Sequence, residues 1–275
     1  MNVLATDKRA QILGCLVEGV SMRATCRLTG VAKKTVERLL VSAGTACAEH
    51  LDKSMRDLPC KRLQLDEIWS FTYAKQKNVP EEMKGADVGD TWTWVAICAD
   101  TKLIPSWHVG KRTANDAYWF IQDLKTRLKE RVQMTSDGLR CYVEAIEEAF
   151  GSEVDFAQLI KVYGNELQTP YEARYSPPIC IGARKSRVTG QPDMKHVSTS
   201  FVERQNLTMR MSMRRFTRLT NAFSKKLENH KHAVALHFMH YNFCRIHQSL
   251  RVTPAMEAGI ADRVWTLEDV AGLVG

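Results

Sequence analysis

Between residues 62 and 162 the spacing of apolar positions changes several times. Arg62–Tyr73 alternates apolar with polar side chains and is rich in aromatic and branched residues, which predicts a long strand with Asp66 in its middle. Thr91–Ala99 and Leu103–Val109 predict a second and a third strand, joined by a turn at Asp100–Lys102, so that the first three make an antiparallel meander. Helical spacing takes over from Thr113 to Arg131, with Ala117, Phe120, Ile121, Leu124 and Leu128 on the inner side. A short strand, Val132–Ser136, ends at Asp137-Gly138; a helix over 139–150 and a strand over 154–162 follow. Residues 164–197 lack periodicity and hold Pro170, Pro177, Pro178, Gly182, Gly190 and Pro192, which predicts a long loop over the active face. A helix is expected from about Thr199 to Arg215, packing through Val202, Met209, Met213 and Phe216, then another over 225–244 and a small closing element at 266–270.

The order βββαβαβα, hairpins followed by parallel crossovers, is that of a ribonuclease-H-like domain. The expected fold class is α/β: a mixed five-stranded sheet with flanking helices, preceded by a small all-α domain. In that first part, residues 7–20 have helical spacing, and Ser21–Leu40 reads as helix, sharp turn, helix. Gly30 supplies the positive φ of the turn, Cys26 is small where two helices cross, and Val36, Leu39 and Leu40 seat the second helix. Lys33, Lys34, Thr35 and Arg38 point outward, as in a helix-turn-helix DNA reader. The division expected is 1–46 for this domain, 47–61 for a connecting helix, 62–250 for the main domain and 251–275 for a tail.

Charge sharpens the picture. Lys and Arg outnumber Asp and Glu by 11 to 6 in residues 1–62 and by 14 to 3 in 182–251, while the acids lead by 18 to 13 in 63–181 and by 4 to 1 in 252–275. Two basic segments around an acidic one suit a polyanion held from two sides over a site with its own carboxylates. The eight cysteines include no C-x-x-C pair, which argues against a zinc site or a disulfide framework. No apolar run reaches membrane length and the first ten residues include the charged Asp7, Lys8 and Arg9, so a cytoplasmic protein with no membrane partner is expected.

In a sheet of this order the first strand is central and the fourth lies beside it, so Asp66 and Asp137 become neighbours; a helix crossing that edge can add Glu203. Glu67 is the rival to Asp66, but strand alternation aims it at the opposite face, and an Asp before Gly, as at Asp137, commonly serves a turn. Three acids so close repel one another and need cations. Hard oxygen ligands select Mg²⁺, or Mn²⁺ as a substitute, and two ions about 3.5–4 Å apart would flank a scissile phosphate.

Leu65-Asp-Glu-Ile-Trp-Ser-Phe71, Thr135-Ser-Asp-Gly138 and Phe201-Val-Glu-Arg-Gln-Asn-Leu-Thr-Met-Arg210, continuing through Arg218–Lys226 to His230, resemble the DDE transposases of the insertion sequence 1 group over about residues 60–250. The resemblance implies Asp66, Asp137 and Glu203 as catalytic and metal-binding triad. It implies DNA as partner, as terminal inverted repeats and as target, with hydrolysis freeing a 3′-hydroxyl that attacks target DNA, and a homodimer or larger assembly. Lys195, Arg204, Arg210, Arg214 and Arg215 are then expected to hold phosphates, with Asn206 positioning the Glu203 region. Better-known members of the group carry an N-terminal Cys-rich zinc finger that is absent here, so end recognition would fall to the helix-turn-helix or a partner. Two other readings stay open: a non-catalytic helix-turn-helix regulator, and a nuclease without strand transfer. The histidines at 230, 232, 237, 240 and 247 are expected beside DNA rather than on a metal, and Met209, Met211 and Met213 as core filling.

Overall fold

A computed structural model describes residues 4–164, 179–217 and 221–274. Three helices open the chain, α1 (Thr6–Val17), α2 (Met22–Thr29) and α3 (Lys33–Ser54). There follow β1 (Arg62–Thr72), β2 (Gly89–Cys98), β3 (Ser106–Gly110), α4 (Ala114–Lys125), β4 (Val132–Ser136), α5 (Cys141–Phe150), β5 (Val154–Tyr163) and β6 (Cys180–Thr189). The chain continues with α6 (Ser200–Ser212), α7 (Leu227–Met239), α8 (Pro254–Glu257) and α9 (Leu267–Gly272).

The sheet runs β3-β2-β1-β4-β5-β6. The pairs β1–β2, β2–β3 and β5–β6 are antiparallel, while β1–β4 and β4–β5 are parallel. This mixed sheet with helices on both sides is compatible with the ribonuclease-H-like order, but among the described residues it has six strands where five were expected. The sixth falls inside the stretch expected to be loop, of which 165–178 lie outside the described residues. Its ten positions are exposed or nearly so on both faces, so no hydrophobic period marked it. Backbone pairing with β5 holds it instead.

β1 is central and is covered on both faces. Leu63, Leu65 and Glu67 share the face toward α4 and α5, where the Tyr142 hydroxyl donates to Glu67 and Trp94, opposite Glu67 on β2, packs against Phe120 and Tyr142. Gln64, Asp66 and Ser70 share the other, toward α6 and α7.

The helix-turn-helix geometry forms as expected. Gly30 has φ 70° at the C-cap of α2, Val36, Leu39 and Leu40 are buried, and Lys33, Lys34 and Arg38 are exposed, with Lys33 bridging to Glu37 at 3.1 Å. The expected boundary at residue 46 is not a break, because α3 continues unbroken from Lys33 to Ser54 and merges the second helix of the motif with the connecting helix. Its second half docks on α7. A Cβ at Gly44 would stand 2.4 Å from the Cβ and 2.6 Å from the Cα of His232, so the two backbones touch there. α1 meets the other end of the chain, where Arg9 donates to the carbonyl of Val274 and Gly14 abuts Leu267. One apolar core therefore runs from Ile12 to Ala271. The expected helix over 225–244 starts at Leu227 and ends in a π-helical turn at His240–Cys244. Among the described residues, no helix is long and apolar enough to cross a membrane.

The α3–α7 contact sets a test of this packing. Gly44→Val is expected to lower stability to urea by about 2–3 kcal/mol, because rigid backbone must move to admit the side chain; an unchanged midpoint would mean that the two helices do not touch.

Candidate active site

The ladder between β1 and β4 ends at Leu65 opposite Ser136. Asp137 begins just past it, at an open notch beside the next residues of β1. Asp66 and Glu67 point to opposite faces of the strand; β2 still pairs with β1 at their level, but the β4 ladder has ended. One carboxylate oxygen from each of Asp66, Glu67 and Asp137 lies within 4.8 Å of the others. Asp137 also serves its turn, accepting from the backbone N–H of Leu139 at 2.9 Å.

The start of α6 is pinned to β1 by a side chain of the strand. The first N–H groups of a helix have no partner inside it, and here those of Phe201 and Val202 donate to Oε1 of Gln64 at 2.7 and 3.2 Å. One turn further on, Nδ2 of Asn206 donates to Oδ2 of Asp66 at 2.8 Å. Four helical residues advance about 6 Å and two strand residues about 6.6 Å, so these contacts match in spacing and hold Glu203 between them, on the Asp66 side.

Glu203 nevertheless stands outside the group of three acids. Both of its oxygens accept from Nζ of Lys161 at 2.6 Å, and Oε1 also accepts from the Thr199 hydroxyl at 2.6 Å. Alternation aims Glu67 at the face opposite Asp66, as expected, yet one of its oxygens lies within 4.8 Å of one from each of Asp66 and Asp137. Glu67 is a satisfied group there, because Arg112 donates to Oε1 from Nε at 2.8 Å and reaches it with Nη2 at 2.6 Å, while the Tyr142 hydroxyl donates to Oε2 at 3.2 Å.

Crowding shows in the acidities. Burial pushes Asp66 up to about 6, helped by the charges of Asp137 and Glu203 and opposed by the backbone N–H of Glu67 and by Asn206. Burial likewise raises Glu67 to about 7, with Asp137 and Asp66 adding to it against the pull of Arg112. The donor set is all hard oxygen, and buried Oδ1 of Asn206 has no hydrogen-bond partner among the described residues. Such a set, short of compensating positive charge, fits a divalent ion of the Mg²⁺ kind.

The other expected residues divide. Lys195, Arg204 and Arg214 are exposed, and Arg210 is half-buried on α6. Arg215 is corrected as a phosphate ligand: it turns inward, donates to the Ser224 hydroxyl at 2.8 Å, and burial lowers its pKa to about 10. Asn206 is buried and holds Asp66 rather than Glu203. His230 and His237 are core residues, each pushed down to about 3 by burial; His230 sits between Ser224 and Ser70, so neither lies beside DNA. Met209 and Met213 fill the core as expected, but Met211 is 73% exposed. Sequence reading missed Arg112, Tyr142 and Lys161. The adjacent Asp66-Glu67 pair in an apolar strand was the one signal that a cation had to stand nearby.

No protein-family profile and no curated protein matches the chain. Among solved structures it matches the crystal structure of the Mos1 strand transfer complex, at 13% identity over 86% of this chain and 78% of that one, with a TM-score of 0.22. So distant a likeness establishes neither fold nor function, and both rest on the geometry above.

The raised acidities have a thermodynamic consequence with a definite sign. Folded Asp66 and Glu67 keep protons that the unfolded chain has lost at the same pH, so their contribution to stability is greatest below about pH 4 and falls as pH rises toward about 7. Without divalent metal, Asp66→Asn is expected to be more stable than the parent by about 1–3 kcal/mol at pH 8, with the gap closing toward pH 4. Thermal unfolding across that range checks it; a variant equally or less stable at pH 8 would mean that Asp66 carries no buried charge.

Proposed function

We propose that the chain is a DNA transposase of an insertion sequence, with Asp66, Asp137 and Glu203 as the acids that hold two Mg²⁺ ions, or Mn²⁺ in their place. The observation that carries this reading is the bond from Asn206 to Asp66, which sets Glu203 one helical turn away on the same face. Glu203 is preferred to Glu67 as third ligand because its side chain is 41% exposed and held by one flexible ammonium, whereas that of Glu67 is 2% exposed and locked by Arg112 and Tyr142.

When bound, the ions would supply the positive charge that activates an attacking water or 3′-hydroxyl and stabilises the leaving oxygen. The protein's own part is placement. Gln64 fixes the start of α6, Asn206 orients the Asp66 carboxylate, and Arg112 with Tyr142 keeps Glu67 turned to the α5 side. Exposed Lys195, Arg204 and Arg214, with Arg210 on the same helix, are suited to phosphates. Lys33, Lys34, Thr35 and Arg38 at the start of α3 would read the terminal inverted repeats. The ribonuclease-H-like domain would then span 62–250, in a homodimer or larger assembly that brings two DNA ends together.

A second reading has one observation in its favour. With Glu203 bound to Lys161, the chain as it stands is also what a non-catalytic DNA-binding regulator would have. Mutation separates the two. Asp66→Asn, Asp137→Asn and Glu203→Gln are each expected to cut Mg²⁺-dependent cleavage of a duplex bearing the element end by at least about 100-fold, while leaving its binding within about threefold. Glu67→Gln should retain measurable cleavage. Strand-transfer products in the same assay distinguish a transposase from a nuclease; full activity of Glu203→Gln beside a dead Glu67→Gln would exchange their roles, and no cleavage by the parent chain would leave the regulator.

A further inference from the structure

β4 pairs with β5 only as far as Ser136 opposite Gln158. Among the described residues, β5 from Leu159 onward pairs with β6 alone, so Leu159–Tyr163 and Cys180–Lys185 form a two-stranded ribbon beyond the end of β4. Such a ribbon is marginally stable alone in water, and this one is uncovered: Tyr163 is 50% and Ile181 66% exposed.

Its charge is one-sided. Residues 180–189 hold Arg184, Lys185 and Arg187 and no acid. The register places Lys185 opposite Leu159, Ala183 opposite Lys161 and Arg187 opposite Ala157, and residues opposite each other share a face. Lys161, Lys185 and Arg187 therefore lie on one face, the face that meets Glu203 on α6, and Arg184 lies on the other with Ile160. From the level of Arg187 to that of Lys161 is four strand residues, about 13 Å, close to the rise of four nucleotides of duplex. Lys161 and Lys185 lie on the ribbon, and Arg187, opposite Ala157 where β5 still pairs with β4, continues their face along the edge of the sheet, so the three cations form a row that passes beside the proposed triad. Lys185 is tethered by donating to the carbonyl of Met194 at 2.6 Å.

We propose that this face of the β5–β6 ribbon is a DNA-holding surface, which grips the phosphate backbone of the duplex leading out of the active site. The proposal rests on the transposase reading and adds the element that orients the duplex. Charge selects the occupant: β6 carries three cations and no acid, although Lys161 beside them is paired with Glu203, and that excess repels the same edge of a second copy and complements a polyanion.

The test uses the full chain and a fluorescein-labelled duplex of about 30 base pairs carrying the element end, with affinity read by anisotropy over a salt series. Lys185→Gln/Arg187→Gln is expected to bind about 10-fold more weakly and to lower the slope of log affinity against log salt by about 2, near 0.9 for each lost phosphate contact. Arg184→Gln, on the opposite face, should stay within twofold, and Lys185→Arg/Arg187→Lys should bind like the parent; equal melting temperatures would exclude misfolding. A parent chain that cleaves DNA, beside a double variant of unchanged affinity and slope, would overturn the ribbon proposal and leave the transposase reading intact. An Arg184→Gln loss as large as that of the double variant would reduce the effect to net charge and overturn it too. A double variant that loses only self-association would assign the ribbon to a second copy. Absence of DNA binding by the parent would remove both readings together.

Discussion

Like charges brought out of water repel, and the sheet gathers them at a central strand covered on both faces. Asp66 and Glu67 sit at the centre of β1 and Asp137 just past the end of β4, close enough to share a cation. Any stable state of this chain must offset that repulsion. Arg112 does so for Glu67 and Lys161 for Glu203, while Asp66, among the described residues, is met by the neutral amide of Asn206 and a backbone N–H. The surrounding architecture can be understood as the means of holding an arrangement that would otherwise fly apart.

Rigidity comes from covering the acidic strand on both faces. α5 locks one side through Tyr142, and α6 the other through Gln64 and Asn206, so the carboxylates cannot relax by swinging into solvent. The N-terminal helices add to this, because α3 is fused by backbone contact to α7, which itself rests on β1 through His230 and Ser70. A group bound by the first turns of α3 is thereby mechanically connected to the strand that carries Asp66. Preorganisation of this kind lets a site meet developing charge without first rearranging.

What the sequence revealed followed from periodicity. β1 to β5, α4 and the α6 stripe of Val202, Met209 and Met213 each bury a regular face, so their spacing announced them. β6 buries neither face, and only pairing with β5 creates it. The continuity of α3 was hidden for a related reason: its second half packs through Ala43, Gly44 and Cys47, small residues that carry little hydrophobic signal. Asp66 and Asp137 could be matched from topology alone. Glu67 could not: it points to the face opposite Asp66 as alternation requires, but β4 has stopped at that level and one of its oxygens lies within 4.8 Å of Asp137. The Lys161–Glu203 pair joins positions 42 residues apart and depends on how far α6 slides along β1, which no local pattern encodes.

The central claim is that Asp66, Asp137 and Glu203, rather than Asp66, Glu67 and Asp137, are the working acids. Anomalous diffraction from crystals of the full chain soaked in Mn²⁺ tests it most directly. Manganese peaks contacted by Asp66, Asp137 and a Glu203 side chain released from Lys161, with Glu67 still bound to Arg112, are the expected result. Peaks ligated by Glu67 with Glu203 unmoved, or no peak in the notch at saturating Mn²⁺, would contradict it.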